Sequence, residues 1–285
     1  MTRRSFGSRL AEEFSAGRHL CAGIDPHAAL LADWGLADDA AGAERMGREV
    51  VAAAVGVAAC VKPQVAFFER FGSAGFVALE RVLADAREAG VLVIADAKRG
   101  DIGSTFAAYA DAWLTPGSPL EADALTVSPY LGFGALSGAF GHVREHGKGL
   151  FVLAATSNPE ACEVQTAALR AGRTLATSMI DDAVAFNAAA RETAAVGSVG
   201  VVLGATLDLA AFGIDTAGEQ VSPALPVLAP GFGAQGARIE DAAAVFGRLG
   251  GALLANESRS ILAGGASGLA DRVRARADAI AAALS

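Results

Sequence analysis

Residues 91–105 read Val-Leu-Val-Ile-Ala-Asp-Ala-Lys-Arg-Gly-Asp-Ile-Gly-Ser-Thr, five apolar residues running straight into a charged turn. A run this short and this continuously apolar predicts a strand covered on both faces, the pattern of a parallel sheet. Asp96 and Lys98 are two apart, so an extended chain aims both to the same side. The same unit recurs along the chain. Apolar runs of strand length lie at 20–24, 59–61, 91–95, 124–127, 150–155, 199–203, 226–229 and 251–255. Most are separated by Ala-, Glu- and Arg-rich segments of helical spacing, such as Phe76, Leu79, Val82, Leu83 and Ala86, which put one apolar stripe on a helix. Polar residues follow nearly every run: Asp25, Lys62, Asp96 with Lys98, Ser128, Ser157 with Asn158, Thr206, Gln235, and Ser258 with Arg259. In a closed (β/α)8 barrel all eight strand ends meet at one face, whereas in an open doubly wound sheet only those near the switch point do. The pattern therefore predicts an α/β fold, a TIM (β/α)8 barrel, as a single domain over 1–285. Loop insertions are expected near 159–174 and 207–221.

Composition narrows the functional classes. The 285 residues are 53% hydrophobic and only 19% charged, which excludes a disordered chain. A net charge of −8 opposes binding to nucleic acid or to an anionic membrane surface, both of which recruit clustered Lys and Arg. The longest apolar stretch, 50–61, is too short to span a bilayer, and the N-terminus lacks an apolar signal core. A cytoplasmic location is expected. Cys21, Cys60 and Cys162 lack metal-ligand spacing and read as buried free thiols. His27, His142 and His146 do not form a metal cluster, and no metal site is expected.

Three constellations could carry chemistry. Asp96 flanks Lys98 at a strand end, with Asp101 beyond Gly100; a neighbouring carboxylate keeps a lysine protonated, which suits a proton donor. A solvated charged turn would show the same residues. Lys62 ends another strand. If the two strands are neighbours, it adjoins Asp96 and could extend an alternating row, Lys62, Asp96, Lys98, Asp101; alone, it could equally snorkel to solvent. Residues 231–236 match G-x-G-x-x-G, with Glu257 near the distance of a ribose-binding acid. Too little chain follows to complete a dinucleotide-binding sheet, so a phosphate loop of a barrel, helped by Arg259, is the better reading beside that of a plain turn.

Taken together, GIDPH around Asp25, VKPQVAFFE around Lys62, DAKRGDIGST over 96–105, LAATSNPE around Ser157, LAPGFGAQG around Gln235 and ESRSIL around Arg259 resemble the orotidine 5′-phosphate decarboxylase family, in its longer bacterial subgroup of the mycobacterial kind. The resemblance implies a TIM barrel that removes CO2 from orotidine 5′-monophosphate to give UMP without any cofactor. It implies that Lys98 protonates C6, that Asp96 sits against the substrate carboxylate, and that Lys62 and Asp25 bind the ribose and order the charge row. Ser157 would read the pyrimidine, and Gln235 and Arg259 would grip the phosphate. Asp101, Ile102 and Thr105 would come from the other subunit of a homodimer with shared active sites. Two other classes compete: a magnesium-dependent phosphosugar decarboxylase or aldolase of the same barrel type, and a phosphate-binding barrel without chemistry. The first typically carries a metal-binding Glu where Lys62 stands, and a cation there opposes Mg²⁺.

Overall fold

The computed structural model describes residues 4–169, 172–190 and 194–284. Its elements run α1 (Phe6–Ser15), β1 (Leu20–Ile24), α2 (Ala28–Asp33), α3 (Ala40–Ala54), β2 (Cys60–Pro63), α4 (Ala66–Glu69), α5 (Gly72–Glu88), β3 (Leu92–Arg99), α6 (Gly103–Leu114), β4 (Ala124–Val127), α7 (Phe140–His146), β5 (Gly149–Ala155), α8 (Ala161–Gln165), α9 (Leu175–Ala189), β6 (Val199–Leu203), β7 (Val227–Pro230), α10 (Ala242–Phe246), β8 (Leu253–Glu257), α11 (Arg259–Leu262) and α12 (Leu269–Leu284). The strands are parallel and pair in chain order, and β8 closes on β1. Each of the eight apolar runs falls on a strand, and the fold is the (β/α)8 barrel that the runs predict.

Alternation along the strands sorts their side chains between two cores. Cys21, Cys60, Leu92, Ile94, Phe151, Val202, Leu228 and Leu254 fill the barrel interior. Leu20, Val61, Val93, Leu125, Val152, Val201 and Leu253 point outward into a second cluster with the helices, including Leu79, Val82, Leu83 and Ala86 of the stripe on α5. A strand sandwiched between these two apolar layers has no exposed face, which is why the runs are continuous.

The N-terminal end of the barrel is stoppered by α1. Phe6 and Leu10 belong to the interior cluster, and the Phe6 ring meets Phe151 edge-on at 6.0 Å between centroids. A Cβ on Gly7 would stand 2.1 Å from the Val196 carbonyl oxygen, so glycine is what lets the helix approach this closely. Gly7 N–H donates to Ser198 Oγ at 3.1 Å, and Arg9 pairs with Asp123 at 2.5 Å. Fully burying Phe6 and Leu10 stabilises the closure by about 1.5–3 kcal/mol each.

Several expectations are refined. Cys21 and Cys60 are buried thiols side by side on β1 and β2, but Cys162 is exposed on α8, where the chain has left the barrel wall. Of the two segments expected as insertions, 159–174 carries α8, and its residues 170 and 171 lie outside the described residues; 207–221 carries a 3-10 turn over Leu209–Phe212. Among the described residues no helix is long and apolar enough to cross a membrane.

Candidate active site

The site begins with an irregularity in β3. Its ladder with β4 runs to Ala95 opposite Leu125, then slips and resumes with Arg99 opposite Val127. Asp96, Ala97 and Lys98 thus bulge opposite Thr126. Lys98 has φ +47°, the one positive value at a non-glycine among the described residues. An extended chain is therefore not what brings Lys98 beside Asp96; a bulge with a left-handed residue re-aims the side chain, as bulges beside active sites commonly do. Lys98 Nζ still reaches Asp96 Oδ1 at 2.5 Å.

Lys62, inward from β2, reaches the other oxygen of the same carboxylate, Oδ2, at 2.8 Å. Thr126 Oγ1 donates to Oδ1 at 3.0 Å. The Gln64 amide, oriented to suit its neighbours, donates to Oδ2 and accepts from Lys98 Nζ at 3.3 Å. The Lys62 and Asp96 side chains are only 6% and 9% exposed, whereas that of Lys98 is 44% exposed and projects into the mouth. Burial alone would drive Asp96 toward its neutral form, but Lys62 and then Lys98 outweigh it and hold the carboxyl well below the usual carboxylate range. Burial likewise works against the Lys62 ammonium, yet Asp96 and Asp25 hold its pKa above the ordinary lysine range. The result is a fixed chain of alternating charge, with its free end, Lys98, facing any ligand.

A cavity of about 290 Å³ opens over this chain, at the low end of ligand-pocket sizes. Asp25, Lys62, Gln64, Asp96, Lys98, Thr126, Thr156, Ser157, Asn158, Gln235 and Asn256 supply its polar lining; Leu153, Val202, Leu228 and Pro230 supply the apolar part. Among the described residues, Asp25 Oδ1 is buried there without a hydrogen-bond partner. Of the residues singled out from the sequence, Asp25, Lys62, Asp96, Lys98, Ser157 and Gln235 thus converge on one cavity. Arg259 does not line it: it is exposed at the start of α11, just after β8. Asp101, Ile102 and Thr105 lie outside the lining too: half-buried Asp101 and exposed Ile102 form the connection into α6, with Asp101 Oδ1 accepting from Ile102 N at 2.8 Å, and exposed Thr105 stands in the first turn of α6. Within one chain, then, the row of four charges is a row of three.

Thr126 takes the place that Ser128 was expected to hold, because the inward position of β4 falls two residues earlier; Ser128 N donates to Arg99 O on the rim. A threonine inside the run Ala-Leu-Thr-Val is the signal that would have pointed to it. Glu257, considered above as a ribose acid, is buried outside the barrel and paired with Arg276 of α12 at 2.6 and 2.8 Å. The glycines of 231–236 lie in a turn, with positive φ at Gly231, Gly233 and Gly236, and no helix starts within it: a 3-10 turn over Ile239–Asp241 comes first, and α10 follows. Among the described residues no group of three His, Cys, Asp or Glu side chains could hold a metal ion.

A closed barrel whose strand ends gather an ion chain under a ligand-sized cavity defines a (β/α)8-barrel enzyme with its site at the C-terminal face. The model of the family described as orotidine 5′-phosphate decarboxylase / HUMPS matches residues 18–267. Orotidine 5′-phosphate decarboxylase from Nocardioides sp. is 52% identical over 260 residues, 90% of this chain and 91% of that one. The Streptomyces coelicolor protein of the same name is 51% identical over 90% of this chain and 89% of its own. A crystal structure from Streptomyces avermitilis, provisionally given that name, superposes with a TM-score of 0.91 at 50% identity, covering 100% of this chain and 97% of the other. The chain belongs to the orotidine 5′-phosphate decarboxylase / HUMPS family, and it is a decarboxylase.

Proposed function

We propose that this enzyme converts orotidine 5′-monophosphate to UMP and CO2 in pyrimidine biosynthesis, without metal or cofactor, and that Lys98 delivers a proton to C6. The observation that carries the reading is the Lys62–Asp96–Lys98 chain. Asp96 is held ionised by its two lysines, so a substrate carboxylate placed against it meets a fixed negative charge that CO2 would not meet. As the bond from C6 to the carboxylate breaks, its electron pair stays on C6. The Lys98 ammonium stabilises that pair and then transfers its proton to it; the lysine is reprotonated from solvent. One ion pair at 4 Å supplies only about 4 kcal/mol at an effective dielectric near 20, against the 8–23 kcal/mol by which enzymes lower barriers. The rest must come from preorganised charge and from binding energy on remote parts of the substrate.

The remaining residues take roles consistent with their positions. The unpartnered Asp25 Oδ1 suits a ribose hydroxyl, with Lys62 beside it. Ser157 and Gln235, in the cavity lining, would take the pyrimidine edge and the phosphate, and Arg259, exposed at the rim, would bind phosphate with its planar fork of donors. We further infer a cytoplasmic homodimer, the whole chain acting as one catalytic domain, in which Asp101, Ile102 and Thr105 complete the partner's site. Ile102, Tyr130 and Leu131 are 61%, 81% and 54% exposed on the connections after β3 and β4, and a second subunit would cover such side chains. The magnesium-dependent alternative is disfavoured by Lys62, a buried ammonium where the metal's charge would fall. The test is UMP formation from orotidine monophosphate by the purified protein in EDTA. Undiminished turnover is expected; loss that magnesium restores would overturn the proposal.

A further inference from the structure

The bulge in β3 leaves the Lys98 backbone N–H without a partner in the sheet ladder, because pairing with β4 skips from Ala95 to Arg99. That N–H donates instead to Thr126 Oγ1 at 2.9 Å. A hydroxyl carries one donor and two acceptor sites, and here the donor goes to Asp96 Oδ1 at 3.0 Å. Asp96 Oδ1 in turn receives Lys98 Nζ at 2.5 Å. The four groups form a closed ring: Lys98 backbone, Thr126 hydroxyl, Asp96 carboxylate, Lys98 ammonium. Thr126 is 1% exposed, so its hydroxyl is largely shielded from bulk solvent.

We propose that Thr126 is the positioning residue that holds Lys98 in its left-handed backbone conformation and so fixes the height of the ammonium above Asp96. The inference rests on the role given to Lys98 above. A lysine has no intrinsic preference for φ near +47°, and such a residue persists only where its surroundings over-determine it. Two constraints do so here. Gly100 closes the far side of the bulge, where an added Cβ would stand 2.5 Å from the Ser128 carbonyl oxygen. The Thr126 hydroxyl closes the near side and is the only one of the two that also touches the charge chain. A β-branched residue on a strand has a restricted χ1, so the hydroxyl is held in place by its own methyl, which packs like that of valine.

The experiment compares Thr126→Val, which keeps the shape and removes the hydroxyl, with Thr126→Ser, which keeps the hydroxyl. Displacing a reacting group by about 1 Å can cost about 10²-fold. Thr126→Val is therefore expected to lower kcat by about 10- to 100-fold, with KM and the UMP dissociation constant changed less than about threefold, and Thr126→Ser to restore most of kcat. A merely structural role would lower the melting temperature and the amount of active enzyme while leaving kcat per titrated site intact. Wild-type kcat in Thr126→Val, or a loss confined to KM, would overturn the inference. A wild-type protein that forms no UMP would instead overturn the function proposed above, so the two failures are distinguishable.

Discussion

Asp96→Asn removes one charge at the centre of the ion chain and almost no volume. At 2.8 Å the Lys62–Asp96 pair amounts to about 6 kcal/mol of direct attraction at an effective dielectric near 20. Most of that offsets the desolvation of two buried ions. What remains is the cost of leaving Lys62 buried and unpaired, about 3–5 kcal/mol for one partner of such a pair. The Lys98 side of the carboxylate adds less, because Lys98 is 44% exposed and screened. Urea denaturation followed by circular dichroism at pH 7 should therefore show Asp96→Asn destabilised by about 3–5 kcal/mol, with no turnover. The double variant Asp96→Asn/Lys62→Met should regain most of the stability, since an apolar replacement of a buried pair is often neutral, and none of the activity. The pH dependence has a definite sign. Asp96 has its folded pKa below its unfolded value, so its contribution is present above pH about 4 and is lost as pH falls toward the folded value. The gap between wild type and Asp96→Asn should then be flat across neutral pH and narrow in acid. An Asp96→Asn variant within about 1 kcal/mol of wild type, or a double variant no more stable than the single one, would refute this account of the chain as a desolvated pair.

Two further outcomes test separate parts of the molecule. Inactive Lys98→Ala and Asp101→Ala proteins, mixed under conditions that exchange subunits, should recover about a quarter of wild-type activity, since random pairing gives half mixed dimers with one intact site each; no recovery after confirmed exchange would place Asp101 in the site of its own chain. Phe6→Ala should cost about 3–5 kcal/mol in denaturant titrations, yet leave kcat at 25 °C unchanged, because α1 lies at the barrel end opposite the cavity. A matching fall in kcat would tie the two ends together.

The strands were legible because burial on both faces leaves no room for polar residues, so each apolar run is itself the strand. Strand ends were less so. The run 91–95 was read to stop at Ala95, whereas β3 continues to Arg99, since Asp96 and Lys98 are charged yet satisfied inside the barrel mouth. Asp25, Lys62, Asp96, Lys98, Ser157 and Gln235 could be found because the fold converts their positions in sequence into one cavity. Thr126 and Gln64 were missed for a physical reason: what they contribute is a hydrogen bond to another functional group, and such partners are set by three-dimensional register rather than by residue type. The left-handed backbone at Lys98 was equally hidden, because nothing in a lysine announces it. The stopper formed by α1 shows the same limit. Its amphipathic spacing is common, and what it packs against depends on the closure of strands far along the chain.

That stopper has a consequence for how the enzyme can adapt. Phe6, Gly7 and Leu10 touch strand beginnings, while the ion chain rests on strand endings, and apolar layers of the barrel interior separate them. Heat resistance can thus be adjusted at one pole of the molecule while turnover is adjusted at the other. Substitutions at Phe6 and Leu10 would then shift stability without disturbing the geometry that Lys98 requires.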